Sequence, residues 1–138
     1  MKSRNYAHSE IEYRKLWQFL NTQHNVDQPP INWLFAQFEN WRFARPDEPA
    51  QFFIDNLHYW VDDQDEIVGF VVSEYGNEEI SLQVAPQHRE IEPLMLDWIV
   101  NDWGAKKTSI AVFGLAGDEI RQNALRQAGF EKAAHVGN

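Results

Sequence analysis

The sequence predicts an α/β chain of the α+β kind: a mixed, mostly antiparallel sheet with helices on both faces. Three observations predict it. Strand and helix periodicities follow one another along the 138 residues as strand, helix, helix, three strands, helix, strand, helix, strand. Residues 67–73 (IVGFVVS) are apolar almost without a break, the pattern of a strand covered on both faces and so central in its sheet. Residues 78–103 read as strand, bend and helix in direct succession, and the rest of the chain is organised around them.

Residues 2–6 predict a short first strand. Ser9 and Glu12 form a capping box, and the helix it opens carries Tyr13, Leu16, Trp17 and Leu20 at helical spacing. Residues 21–28 are a polar connection. Pro30 opens a second helix with Ile31, Leu34, Phe38 and Trp41 as its apolar stripe, leaving Trp33, Phe35 and Phe43 partly off it, as core or as the lining of a groove. Residues 45–49 form a loop with two prolines, and residues 51–56 fit either helix or strand.

Residues 57–62 and 67–73 predict a hairpin joined through Asp62, Asp63, Gln64 and Asp65. Gly69 inside it marks a bulge or a close backbone approach. In the central stretch Ile80, Leu82 and Val84 alternate with polar residues, Ala85-Pro86 ends the strand, and residues 87–92 form a polar loop. Pro93 suits a first helical position, with Leu94, Met95, Trp98 and Ile99 on one face and Gly104 as the stop. The free amides at such a helix start form an anion site. Residues 108–113 predict a strand, Asp118 caps a last helix with Ile120, Ala124, Leu125 and Ala128 inward, Gly129 ends it, and Phe130 begins another strand.

Composition narrows the function classes. One domain, residues 1–138, is expected, burying about 68% of the unfolded surface. No apolar run reaches the ~20 residues of a membrane span, and no secretory signal opens the sequence, so a cytoplasmic protein is expected. The absence of cysteine excludes disulfides and thiolate chemistry. A net charge of −9 argues against nucleic acid and fits either a cationic amine or plain solubility. The five histidines show no ligand spacing, so no metal site is expected.

The element order, with Ile67-Val68-Gly69-Phe70, then Leu82-Gln83-Val84-Ala85-Pro86-Gln87-His88-Arg89, then Gly129-Phe130, resembles the GNAT superfamily of acyl-CoA-dependent N-acetyltransferases. The family pattern is an apolar V-G-F strand, then L-x-V-x-P-x-x-R-G-x-G-x-G and a helix, and a last helix running into G-F. The resemblance covers most of the chain and implies acetyl-CoA as cofactor and an amine, small or peptidic, as acceptor. It implies that backbone groups of Leu82, Gln83 and Val84 hold the pantetheine arm. The diphosphate would rest on the stretch from Arg89 through Leu94 and Met95. Glu79, projecting from the strand, would serve as base if burial raised its pKa; otherwise it is a solvated charge.

The departures from the family pattern are specific. Glu90, Glu92 and Leu94 replace the glycines that let backbone approach the phosphates. A carboxylate ~4 Å from a phosphate would cost about 1–4 kcal/mol, enough to cancel the site, or else it simply favours the helix dipole. Arg89 would meet a phosphate or pair with Glu90, Glu92 or Asp97. The family's tyrosine proton donor falls on Leu125, and its asparagine on Asp118. The family usually closes with a two-stranded hairpin, for which residues 130–138 leave little room, so a second GNAT domain or a second copy would cover an open edge. Two readings follow: an N-acetyltransferase with a degraded cofactor motif, or a non-catalytic GNAT-like domain, structural or ligand-binding, that has lost acetyl-CoA.

Overall fold

The computed structural model describes residues 1–23, 35–114 and 117–132, with the side chain of Phe35 excepted. Its five-stranded sheet runs in chain order, β1(Lys2–Asn5), β2(Leu57–Val61), β3(Ile67–Val72), β4(Glu79–Val84) and β5(Ala111–Val112). The first three pairings are antiparallel and the last, β4 with β5, is parallel. The predicted α+β mixed sheet is therefore present, with β3 in the middle. No described helix is long and apolar enough to cross a membrane.

Two apolar layers sandwich the sheet. On one face α1(Glu10–Gln23), α2(Phe35–Phe43) and α3(Ala50–Asp55) bury Leu16, Phe19, Leu20, Phe38, Trp41 and Phe53 against Tyr59, Phe70 and Val72. On the other, α4(Glu92–Trp98) and α5(Glu119–Gln127) bring Met95, Leu96, Ala124 and Leu125 onto Val71, Ile80, Leu82 and Val84. Strand β3 feeds both layers, which is why it is apolar along its whole length.

Several elements follow from local chemistry. Ser9 and Glu12 form the expected reciprocal cap: the Glu12 N–H donates to Ser9 Oγ, and Ser9 N–H donates back to the carboxylate. The Tyr59 hydroxyl also donates to Glu12 at 2.7 Å, tying α1 to the sheet. The β2–β3 register shifts between Trp60 and Val61, a bulge beside Gly69. A Cβ on Gly69 would stand 3.0 Å from the Gln83 carbonyl oxygen and 3.2 Å from Met95 Cε, so both readings of this glycine hold. At the end of α5 a Schellman pair closes the helix, Phe130 N–H to the Leu125 carbonyl and Gly129 N–H to that of Arg126, with Gly129 at φ +94°.

The structure also corrects the sequence reading. In α1 Phe19 is buried, while Tyr13 and Trp17 are half-buried, and the helix continues to Gln23 into the expected connection. Of residues 51–56, 51–55 are helical as part of α3 and Asn56 is its C-cap. The expected loop 87–92 is a 3₁₀ segment, Pro86–Ile91, that runs into α4, and Ile99–Trp103 form a π-helical turn before Gly104. Leu94 points outward, 52% exposed, and Leu96 takes its place in the core. The strand at 108–113 shrinks to two residues. In α5 Ile120 and Ala128 are exposed and Arg121 is buried instead. Residues 130–132 are not a strand, although Phe130 packs on the second core layer. The expected contributions of Pro30, Ile31, Trp33 and Leu34 lie outside the described residues.

Candidate functional site

The candidate site is the bend between β4 and α4 together with the start of α5. Pro86 opens the 3₁₀ segment and Pro93 stands at the start of α4, so the chain turns sharply off the strand and directs its first helical residues toward α5. Among the described residues two residue pairs join β4 to β5, Glu79 with Ala111 and Ile80 with Val112, whereas β4 runs on to Val84. The Ala85 N–H bonds the Val68 carbonyl and the Ala111 N–H bonds that of Glu78. Alternation along the strand then turns the backbone polar groups of Leu82 and Val84 toward the side where β5 has left.

The expected site residues are placed as follows. Leu82, Gln83, Val84 and Met95 are completely buried, at 0% exposure. The Gln83 amide donates to Ser81 Oγ at 3.2 Å. Arg89 is largely buried and lies at the bend, while Leu94 stands on the exposed side of α4. Glu79 is exposed at the opposite end of β4, so the burial that a base there requires is missing. Two hollows, of about 420 and 280 Å³, lie along α1 and the β1–β3 side, away from the bend, and their lining carries none of these residues.

What fills the bend is a network of four charged side chains. Glu92, first residue of α4, is fully buried. Its Oε2 accepts from Arg89 Nε at 2.5 Å, and its Oε1 accepts from Arg121 Nε on α5. Arg89 also donates through Nη2 to Asp118 Oδ2 at 2.8 Å. Asp118 is the expected cap of α5, its Oδ1 accepting the Arg121 N–H at 3.2 Å. Burial works against the Arg89 charge, but Glu92 and Asp118 outweigh it and hold the guanidinium above its ordinary range. Burial likewise raises Asp118, and the Arg89 guanidinium and the Arg121 N–H overcome it, leaving the carboxyl below its ordinary value. Glu90 projects outward and pairs with His88 at 3.3 Å.

Sequence reasoning named Arg89, Glu92 and Asp118 but missed Arg121. A signal was present. The buried positions of α4 and the π-helical turn that continues it are 92, 95, 96 and 99, and those of α5 are 121, 124 and 125. Each stripe keeps strict helical spacing and begins on a charged residue, and the two charges are opposite.

Chemically the network is balanced, two guanidiniums against two carboxylates, so an incoming anion finds no net positive charge. The guanidinium donors at the bend, Arg89 Nε and Nη2 and Arg121 Nε, already face carboxylate oxygens. The residues at the bend therefore do not fit the diphosphate of acetyl-CoA. The position of the family's thiolate-protonating tyrosine is Leu125, buried and without a donor.

No family model matches the chain, and no curated protein matches it. Among solved structures, a mutant of the BH1408 protein from Bacillus halodurans is similar over 100% of this chain and 98% of its own, with a TM-score of 0.58 and 12% sequence identity. At that identity the likeness is one of fold.

Proposed function

We propose that this chain is a GNAT-like domain that does not itself transfer acetyl groups, serving as the structural or ligand-binding half of an acetyltransferase assembly. The observation that carries the reading is the buried Glu92 carboxylate, held by Arg89 and Arg121 at the helix start where the family places a diphosphate. An internal carboxylate there is permanently present, whereas acetyl-CoA would have to displace it and leave a buried charge unpaired. Strand β5 is a short edge strand of two residues, and Phe113 directly after it is more than half exposed, which supports a second GNAT-like domain or a second copy as the partner covering that edge.

A second reading has its own support. The early end of the β4–β5 ladder is the feature that an acetyl-CoA-dependent N-acetyltransferase would use to hold a pantetheine arm against Leu82 and Val84. A thermal shift with acetyl-CoA separates the two. A ligand at about 100 times its Kd stabilises a domain by ~2.7 kcal/mol. The first reading predicts an unmoved melting curve at millimolar acetyl-CoA. A saturable rise would overturn it in favour of the second.

A further inference from the structure

A second feature lies at the other end of the sheet, at the β3–β4 turn, and owes nothing to the bend. The Arg45 guanidinium sits over the Phe52 ring at 5.5 Å and over the Tyr75 ring at 5.1 Å. The Arg42 guanidinium sits over Phe43 at 4.9 Å and Phe53 at 5.8 Å, and Phe52 meets Phe53 edge to face at 5.3 Å. The outcome is one continuous ladder, Tyr75, Arg45, Phe52, Phe53, Arg42, Phe43, drawn from α2, the following loop, α3 and the β3–β4 turn.

The ladder differs from arginines that merely shield a core. Its end rings are open to solvent, Tyr75 at 64% and Phe43 at 60% exposure. The chain has 21 acidic residues against 12 basic ones. Arg4, Arg14, Arg89 and Arg121 all pair with carboxylates. Among the described residues neither Arg42 nor Arg45 does, although acids are in excess; Arg42 instead donates through Nε to the Tyr6 hydroxyl at 3.2 Å. With rings covering its faces, a guanidinium keeps its N–H edge for a ligand, and that edge matches a carboxylate. Ring stacking also fixes the fork in advance, which lowers the ordering cost of binding.

We propose that this ladder is a docking site for an acidic segment of polypeptide in which carboxylates alternate with apolar side chains. The carboxylates meet the edges of Arg42 and Arg45, and the apolar side chains rest on Tyr75 and Phe43. Charge complementarity argues for this occupant: on a chain of net charge −9, two arginines on one aromatic ladder, neither with a carboxylate partner among the described residues, favour an acidic partner at this place. Glu74, which raises the Tyr75 hydroxyl above its ordinary value, bounds the patch on one side.

The test is an NMR titration of the arginine Nε–H resonances with a synthetic octapeptide alternating glutamate and phenylalanine. The expected result is saturable movement of the Arg42 and Arg45 signals, and a Kd weakened about fivefold both by Arg45→Gln and by Tyr75→Ala. Arg45 is half-buried and Tyr75 exposed, so a matching thermal melt of each variant and the wild type keeps the test independent of folding. A peptide with glutamine in place of glutamate should leave the signals still. Movement by that neutral peptide, equal movement by an oligothymidylate, or stationary signals throughout would each overturn the proposal.

Discussion

Glu92 and Arg121 meet across the gap between α4 and α5 with both side chains almost wholly out of water, at 0% and 4% exposure. Neither helix start is left with a bare charge, because each supplies the partner of the other. A buried pair of this kind adds little net stability beyond an apolar substitute, but removing one partner strands the other. Glu92→Gln should therefore destabilise the domain by about 3–5 kcal/mol, read by urea unfolding at neutral pH. A loss below ~1 kcal/mol would show that water reaches Arg121.

Asp118 has two tasks, capping α5 and holding Arg89. Loss of a cap alone costs about 1 kcal/mol, so Asp118→Ala should exceed that figure. Asp118→Asn keeps an acceptor for the Arg121 N–H and should recover roughly the capping share. Equal losses in the two variants would mean that the Arg89 pairing contributes nothing.

The fold was legible where one periodicity had no rival. The apolar run at 67–73 reads as a strand covered on both faces, as β3 is, and the capping box at Ser9 and Glu12 marks the start of α1. Phase was the weak point. In α5, Ile120 looked like a core residue, yet the helix turns so that Arg121, Ala124 and Leu125 face inward, because Arg121 has Glu92 to meet. The same holds in α4, where Leu94 faces outward and Glu92 and Leu96 face inward. Hydrophobic pattern ranks a charged residue outward by default, and only its partner across the helix pair reverses that. The bend and its acids are legible in the sequence, whereas the pairing of Glu92 with Arg121 is visible there only as two helical stripes that begin on opposite charges.

His58 gives a pH prediction. Its Nδ1 lies 2.5 Å from Asn5 Oδ1, its ring stacks on Trp98 at 4.2 Å, and its buried Nε2 has no partner among the described residues. Burial lowers its pKa from 6.5 to about 4. The unfolded chain then takes up the proton first as pH falls. The stability from neutral His58 is complete above pH 6.5, declines from there to about 4, and is constant below. The full loss is about 3 kcal/mol at ~1.36 kcal/mol per pH unit. Unfolding of the wild type and of His58→Phe at pH 7 and 4.5 checks it: the wild type should lose about 2–3 kcal/mol more than the variant.

Gly69 gives a packing prediction. The nearest atom to an added Cβ is the Gln83 carbonyl oxygen, which the sheet holds in place. Gly69→Ala should cost about 1–3 kcal/mol. Met95→Ala on the same background should not restore it, since Met95 Cε at 3.2 Å is only the second contact. A full rescue would assign the close approach to the helix rather than to the strand.

The central claim is that Glu92 occupies the place of a diphosphate. Its most direct test is calorimetric titration of inorganic pyrophosphate into the wild type and into Glu92→Gln at equal protein concentration. The account predicts no binding heat for the wild type and saturable binding for the variant, whose network then carries a net positive charge. Binding of equal strength by both proteins, or by the wild type alone, would contradict it.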